Sequence, residues 1–354
     1  MRSKDGAYVL RIALQVGLKV EPEWTDGDAQ FNSTFAFLRP IIRGNFYRPW
    51  LGYRLSFEAN SGTPRVFDAY FDVAPLEEFA FRFGQQATPV SRHENFGPQQ
   101  IFFPDFAAVA SYFWSGRERG LTVYGGALSD ILEYYAGIYA GSPIDEPVNL
   151  PKNYVVEARL TLNPLGAVNA NEMPFTPDGD RLPTRFSFTL QGYQGKLQTA
   201  QENFNAANNF LTPAHSIVTE KLGTAAADVW FQAHRLILFG EFYWRRVDPV
   251  GGGTSAYGSY GAWGQAVFNL YKNLLGIGAR CGWMNPSTDL ANDQSTEVEA
   301  QLAYFIHPPE LVLKLRYAWL KQKSPDLADA PYGFVLPFAE GKSNLATLQL
   351  MMAF

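Results

Sequence analysis

Apolar and polar residues alternate with period two along most of this chain, and the apolar set is almost free of charge. At Leu345–Phe354, the residues Ala346, Leu348, Leu350, Met352 and Phe354 share one face, against Thr347, Gln349 and Met351 on the other. Just before it, Leu311, Leu313, Leu315, Tyr317 and Trp319 oppose Val312, Lys314, Arg316 and Ala318. Successive side chains of a β-strand point to opposite faces, so this spacing fits strands and not helices. One such segment would suit a soluble sandwich equally well. Recurrence is what constrains the fold. The template repeats sixteen times, at 8–21, 34–45, 50–59, 66–73, 79–86, 120–127, 131–141, 153–163, 185–196, 223–233, 235–246, 259–269, 274–284, 295–306, 311–321 and 345–354. Most of these segments have the length of a tilted membrane strand, roughly 9–11 residues.

Alternation also explains a composition that is 15% aromatic and 47% hydrophobic while the mean hydropathy stays at −0.15. No apolar run reaches the roughly 18 residues of a spanning helix. The expected fold is therefore all-β: a transmembrane antiparallel β-barrel of 16 strands, forming one domain over residues 1–354. Its surroundings would be bacterial outer-membrane lipid and lipopolysaccharide. In hydrocarbon every backbone N–H and C=O needs a partner, and only a closed barrel leaves no edge. An even strand count is the rule for single-chain bacterial barrels, and sixteen encloses a channel-sized lumen. The start MRSKDGAYVL has no apolar h-region, so a mature chain with its signal peptide removed is expected.

Connection lengths point the same way. With a periplasmic N-terminus, the even connections should be short turns and the odd ones long external loops. The even ones include Phe46–Pro49, Leu128–Asp130, His234 and Leu270–Asn273, whereas the odd ones include 87–119, 197–222 and 322–344. One even connection is long, at 164–184, and is read as a periplasmic excursion or a concealed strand. Trp24, Tyr47, Trp50, Tyr53, Trp244, Tyr271, Trp283, Tyr304 and Trp319 fall near segment ends, where amphipathic rings suit the two lipid–water interfaces.

Facing the apolar set to lipid sends the other set inward. The basic lumenal candidates are Arg11, Lys19, Arg39, Arg43, Arg54, Arg82, Arg159, Arg245, Arg280, Lys314 and Arg316; the acidic ones are Glu21, Glu58, Asp68, Asp72, Glu133, Glu157, Asp228, Glu241, Glu297 and Glu299. Because the last strand closes on the first, Lys314, Arg316, Arg11, Lys19, Arg39, Arg43 and Arg54 form one basic arc, opposed within it by Glu21 and Glu58. Such a wall attracts anions, although Arg–Glu ladders across neighbouring strands can equally satisfy each other. The third long connection, 87–119, contains PQQIFFPDFAAVASYFW. Its aromatics are expected to anchor it inside the barrel and to leave Arg92, Arg117 and Arg119 at a constriction. The alternative is a trimer contact packed outside.

This same stretch carries a family resemblance. FRFGQQATPVSRHENFGPQQIFFPDFAAVASYFWSGRERGLTVYGG, then LEYYAGIYAG, resembles the phosphate-selective porins O and P, through Gly84-Gln85, Thr88-Pro89, Arg117 with Gly120, and Gly137 with Gly141. VEARLTLNPLG, FGEFYWRRVDP and LLGIGARCGWMNP are similar to the family as well. The resemblance implies a trimeric sixteen-stranded barrel with an arginine-lined pore narrowed by the third loop. Phosphate specificity in that family also rests on a lysine-rich stretch, whereas the fifth loop here offers only Lys196 and Lys221 near its ends. The expectation is thus a homotrimeric porin for passive diffusion of small hydrophilic solutes, with a mild preference for anions such as phosphate.

Other functions find less in the sequence. A net charge of −5 leaves no electrostatic footprint for nucleic acid. The single Cys281 rules out an internal disulfide or a CxxC-type metal site, and it sits on the lipid face between Ala279 and Trp283. None of His93, His215, His234 and His307 stands on a strand beside a serine or aspartate in a nucleophile–base spacing. No catalytic residue, cofactor or metal is therefore expected. The remaining competitor is a structural or scaffold barrel that partners another envelope complex, with 164–184 as the segment to inspect.

Overall fold

The alternating segments become sixteen paired strands in the computed structural model, which describes residues 1–3, 6–25, 28–60, 64–142, 153–169, 171–174, 181–200, 217–250, 255–323, 325 and 341–354. In chain order they are β1 (Val9–Thr25), β2 (Asp28–Asn45), β3 (Leu51–Glu58), β4 (Arg65–Val73), β5 (Ala80–Ala87), β6 (Arg117–Ala127), β7 (Leu132–Tyr139) and β8 (Val155–Leu162). The second half comprises β9 (Leu182–Ala200), β10 (Ile217–His234), β11 (Leu236–Pro249), β12 (Tyr257–Tyr271), β13 (Leu275–Asn285), β14 (Ser295–His307), β15 (Leu311–Gln322) and β16 (Gly341–Ala353). Each strand pairs antiparallel with its sequence neighbours, and β16 returns to β1 through pairs such as Leu18↔Leu350. The barrel is closed. One short helix, α1 (Ala108–Phe113), lies in the connection between β5 and β6.

Every expected segment corresponds to a strand, but the ends differ at one rim. β1 and β2 run on to the pair Thr25↔Asp28, and β9 and β10 to Ala200↔Ile217. Beyond the membrane, paired strands have water on the outside and need no apolar face, so alternation fades before pairing does. This long-loop rim contrasts with a short-turn rim, where Arg235 alone separates β10 from β11. The register slips once within β1–β2, at Gly17/Leu18, where a Cβ on Gly17 would fall 2.5 Å from the Phe37 ring.

The outward face is a continuous apolar surface. Ile12, Phe71, Leu160, Phe242 and Leu315 are all exposed on it, and Trp24, Trp50, Trp244 and Tyr271 stand exposed near strand ends. Cys281 is exposed there too. Among the described residues no helix is long and apolar enough to cross a membrane; the strands do so instead. Facing Phe354 outward sets the phase as expected, since Phe354 is exposed while Thr347, Gln349, Met351 and Lys314 are fully buried inside.

The interior departs from a simple polar lining. Trp230, Ile237, Phe239, Tyr243 and Trp263 form a buried cluster with Val109, Ala110 and Phe113 of α1. Phe102 and Phe103 form a second with Val267, Phe305, Val312, Met351 and Met173. The β5–β6 connection thus lies against the inner wall. Met173 comes from the connection after β8 and meets it from the opposite rim, where the Glu172 N–H donates to the Gln100 carbonyl at 2.7 Å. Residues 170 and 175–180 of the expected 164–184 excursion lie outside the described residues.

Candidate solute channel

Loop residues 88–116 are held by donors and acceptors that the strands aim inward. Glu241 on β11 accepts from the Arg92 N–H at 2.8 Å, the Ser91 hydroxyl at 3.1 Å and the Trp263 indole at 3.1 Å. Lys314 on β15 donates from Nζ to the carbonyls of Ile101 and Phe103, both at 3.0 Å. Arg280 on β13 reaches the Asp105 carbonyl at 3.0 Å while forming an ion pair with Glu299 at 2.6 Å. Buried cations are costly unless paired or hydrogen-bonded; Lys314 is hydrogen-bonded, and Arg280 is both. Inner-face glycines make room: a Cβ on Gly278 would fall 2.7 Å from the Phe102 ring.

His93 sits at the centre of this packing with no exposed surface. Its Nε2 accepts from the Ala107 N–H at 2.9 Å. The proton must then be on Nδ1, which donates to Glu172 at 2.6 Å. Glu172 also accepts from the Phe102 N–H at 2.9 Å, so one buried carboxylate joins the two inserted connections. Neighbouring Glu94 accepts from the Ser111 hydroxyl. Burial pushes its carboxyl up to about 7. Asp105 goes the other way. Burial opposes its ionisation, yet Lys19 and Arg316, 3.3 and 3.0 Å away, hold it well below the usual carboxylate range.

The sequence-derived arginines therefore divide. Arg316 is tied to Glu21 at 2.7 Å, Asp105 at 3.0 Å and Glu299 at 3.3 Å. Arg39 pairs with Glu58 and lies over the Phe67 ring at 3.9 Å. Arg92 is buried, donating to Ser187 at 2.8 Å and Thr189 at 2.6 Å. Arg117 and Arg119 belong to β6, not to the loop. Arg117 binds Asp68 at 3.1 Å and stacks on Phe67 at 3.5 Å; Arg119 alternates with exposed Leu121 on the outward set. Lys314 and Arg280 are enclosed beneath the loop.

What stays in water lies at the short-turn half of the β1–β8 wall. Arg11 and Arg43 are exposed, and Arg54 and Arg82 keep 24% and 30% of their side-chain surface. Arg54 Nε contacts Asp68 at 3.1 Å, and Arg82 Nη2 contacts Asp72 at 2.7 Å. Arg82 also lies 4.3 Å over Tyr70. Next to it Tyr124 and Tyr135 stack with centroids 5.7 Å apart, and Arg159 lies 5.3 Å over Tyr135. Arg11, Arg43 and Arg54 occupy one row, each opposite the next in register.

Sequence reasoning missed two things here. One is Asp105, which neutralises the upper part of the basic arc from a loop far away in sequence. The other is the apolar inner wall. A signal for it exists in LILFGEFYW, where Ile237 and Phe239 face in while Leu238 and Phe242 face out, so both faces are apolar. Among the described residues no cluster of His, Cys, Asp and Glu could hold a metal.

Comparison with known proteins settles the lineage. A sequence profile described as phosphate-selective porin O and P matches residues 39–282. The chain belongs to that porin family. It is an outer-membrane β-barrel channel protein, and solved structures agree on the fold. OmpT of Vibrio cholerae, folded in vitro, aligns with TM-score 0.68 at 12% identity over 100% of this chain and 99% of that one. The trimer form of the same protein gives 0.64 at 12% identity, over 98% and 100%. An anion-selective porin from Comamonas acidovorans gives 0.65 at 12% identity, again over 98% and 100%. No curated protein matches this porin in sequence.

Proposed function

We propose that this porin passes small hydrophilic solutes by passive diffusion along the short-turn half of the β1–β8 wall, with a mild preference for anions. The observation that carries the reading is the row Arg11–Arg43–Arg54, in which Arg11 and Arg43 have no carboxylate within ion-pair distance among the described residues. Uncompensated guanidiniums in a narrow, low-dielectric lumen raise the local concentration of anions. The β5–β6 loop narrows the lumen, and the insertion after β8 fills part of the opposite wall. The upper arc contributes little to selection, because Lys19, Arg39, Lys314 and Arg316 are spent on fixing the loop and on their own partners. A homotrimer is the proposed assembly; the trimer form of the Vibrio cholerae relative supports it.

Reversal potentials in a salt gradient across a planar bilayer test this. Anions should carry most of the current in the native porin. Replacing Arg11 and Arg43 together with glutamate (R11E, R43E) should shift permeability toward cations. A cation-selective native channel would overturn the reading, as would an unshifted double variant.

A further inference from the structure

An arginine row explains attraction for anions in general, yet it is a costly arrangement for attraction alone. Arg11 on β1 is opposite Arg43 on β2, and Arg43 is opposite Arg54 on β3. Like charges directly opposite one another across strands repel. Of these three arginines only Arg54 has a carboxylate partner among the described residues, Asp68 at 3.1 Å, which Arg117 shares. The nearby Asp72 is already committed, accepting from Arg82 Nη2 at 2.7 Å and from the Tyr124 hydroxyl at 2.5 Å.

These three arginines share a cavity of about 540 Å³ with Tyr53, Tyr70 and Asp72, at the short-turn rim. That volume lies in the range of small organic ligand sites, roughly 300–1,000 Å³, and far exceeds what a single tetrahedral oxyanion fills. Its inward aromatic wall is Tyr70, with the Arg82 guanidinium 4.3 Å over its ring, whereas Tyr53 alternates with Arg54 and turns its ring to the outer face, opposite Phe71. Ring faces add nothing for a bare oxyanion, whereas they favour a flat apolar body beside the charge. Guanidinium forks, for their part, match planar carboxylates in bidentate geometry.

We infer that this cavity is a binding site for aromatic carboxylates: the carboxylate is gripped by Arg11 and Arg43, and the ring lies against Tyr70. The inference rests on the porin reading above and names the class of solute that its mouth retains. Arg54, already paired, sets the lateral limit of the carboxylate position, and the carboxylate of Asp72 excludes a second acidic group from that side.

Single-channel recording in chloride with added benzoate, acetate or inorganic phosphate tests it. Benzoate should interrupt the current at concentrations about tenfold below those needed for acetate or phosphate, the order expected for one aromatic contact. Arg43→Gln should raise the blocking concentration of benzoate about tenfold, the order for loss of one charge-assisted hydrogen bond. Tyr70→Leu should bring the benzoate-to-acetate ratio toward one. Equal block by benzoate and acetate in the native porin overturns the inference, and so does stronger block by phosphate. Anion-selective current in the same recordings would still leave the porin reading intact. Calorimetric titration of benzoate into the folded, detergent-solubilised porin reads the ranking without any current. Absence of benzoate binding there overturns the inference even if the channel conducts.

Discussion

The wall from β9 to β16 and the short-turn half of the wall from β1 to β8 are built on the same alternation, yet their inward side chains live under different physics. On the first, Trp230, Phe239, Trp263, Phe305 and Val312 are buried under the inserted loop, and Lys314 and Arg280 are sealed in with them. On the second, Arg54, Asp72 and Arg82 retain 24%, 23% and 30% of their side-chain surface. Water makes the difference. Where the loop excludes it, a charge must find partners, and inward cations become struts for loop carbonyls and carboxylates. Where water remains, an arginine needs no partner and is free to meet a solute. Residue type does not decide between these roles; coverage does.

The largest effect should follow from cutting a strut. Glu241→Ala removes the acceptor shared by Ser91, Arg92 and Trp263 and leaves buried donors unsatisfied. A loss of about 3 kcal/mol or more is expected, since each orphaned donor costs roughly 1–3 kcal/mol. Heat-induced loss of the compact gel mobility of the folded barrel would report it. A barrel as heat-resistant as the native one would mean that the loop is not held from this wall.

Overpacking the same wall should cost less. In Gly278→Leu the new side chain meets the Phe102 ring, whose atoms lie 2.7 Å from an ideal Cβ. Such overpacking typically costs about 1–3 kcal/mol. The loop should shift toward the lumen axis, lowering single-channel conductance. Unchanged conductance and heat stability would show that Phe102 does not seal the filled side.

A pH dependence comes next. Burial raises Glu94 to about 7 in the folded porin, so the folded state favours its protonated form. That contribution is fully present below the ordinary glutamate value near 4.5 and is lost as pH rises through about 7. Each pH unit in that window is worth up to about 1.4 kcal/mol. Hydrogen exchange of residues 91–111 should therefore quicken from pH 5 to pH 8 beyond its intrinsic rise. Glu94→Gln should remove that excess; an excess that persists would show that Glu94 is not its source.

Much of this was legible in the sequence, and the boundary of legibility is itself physical. Strand number, pairing order and facing follow from alternation because lipid demands an apolar outer set at every second position, as in Leu311, Leu313 and Leu315. The inner set carries no such demand. Lys314 and Arg43 look alike in the sequence, each basic and each opposite an apolar face. Only the loop's path over β13–β15 makes the first a buried strut and leaves the second in water. Asp105 illustrates the same limit, since the cations it neutralises lie on β1 and β15, at Lys19 and Arg316. A clue was present in 236–239, where four consecutive apolar residues imply that the inner face is also covered.

The smallest expected effect is the sharpest test of the contrast. Arg43→Gln on the wet wall removes a charge that faces Arg11 and Arg54 and has no carboxylate partner among the described residues. It should change stability by no more than about 0.5 kcal/mol, as surface substitutions do. Relief of like-charge repulsion makes any change a gain. Lys314→Gln, on the filled wall, removes donors to two loop carbonyls and should be clearly destabilising. Equal losses in the two variants would mean that both inward cations are structural. In that case the water path would have to run elsewhere, and the arginine row could not be what a passing anion meets.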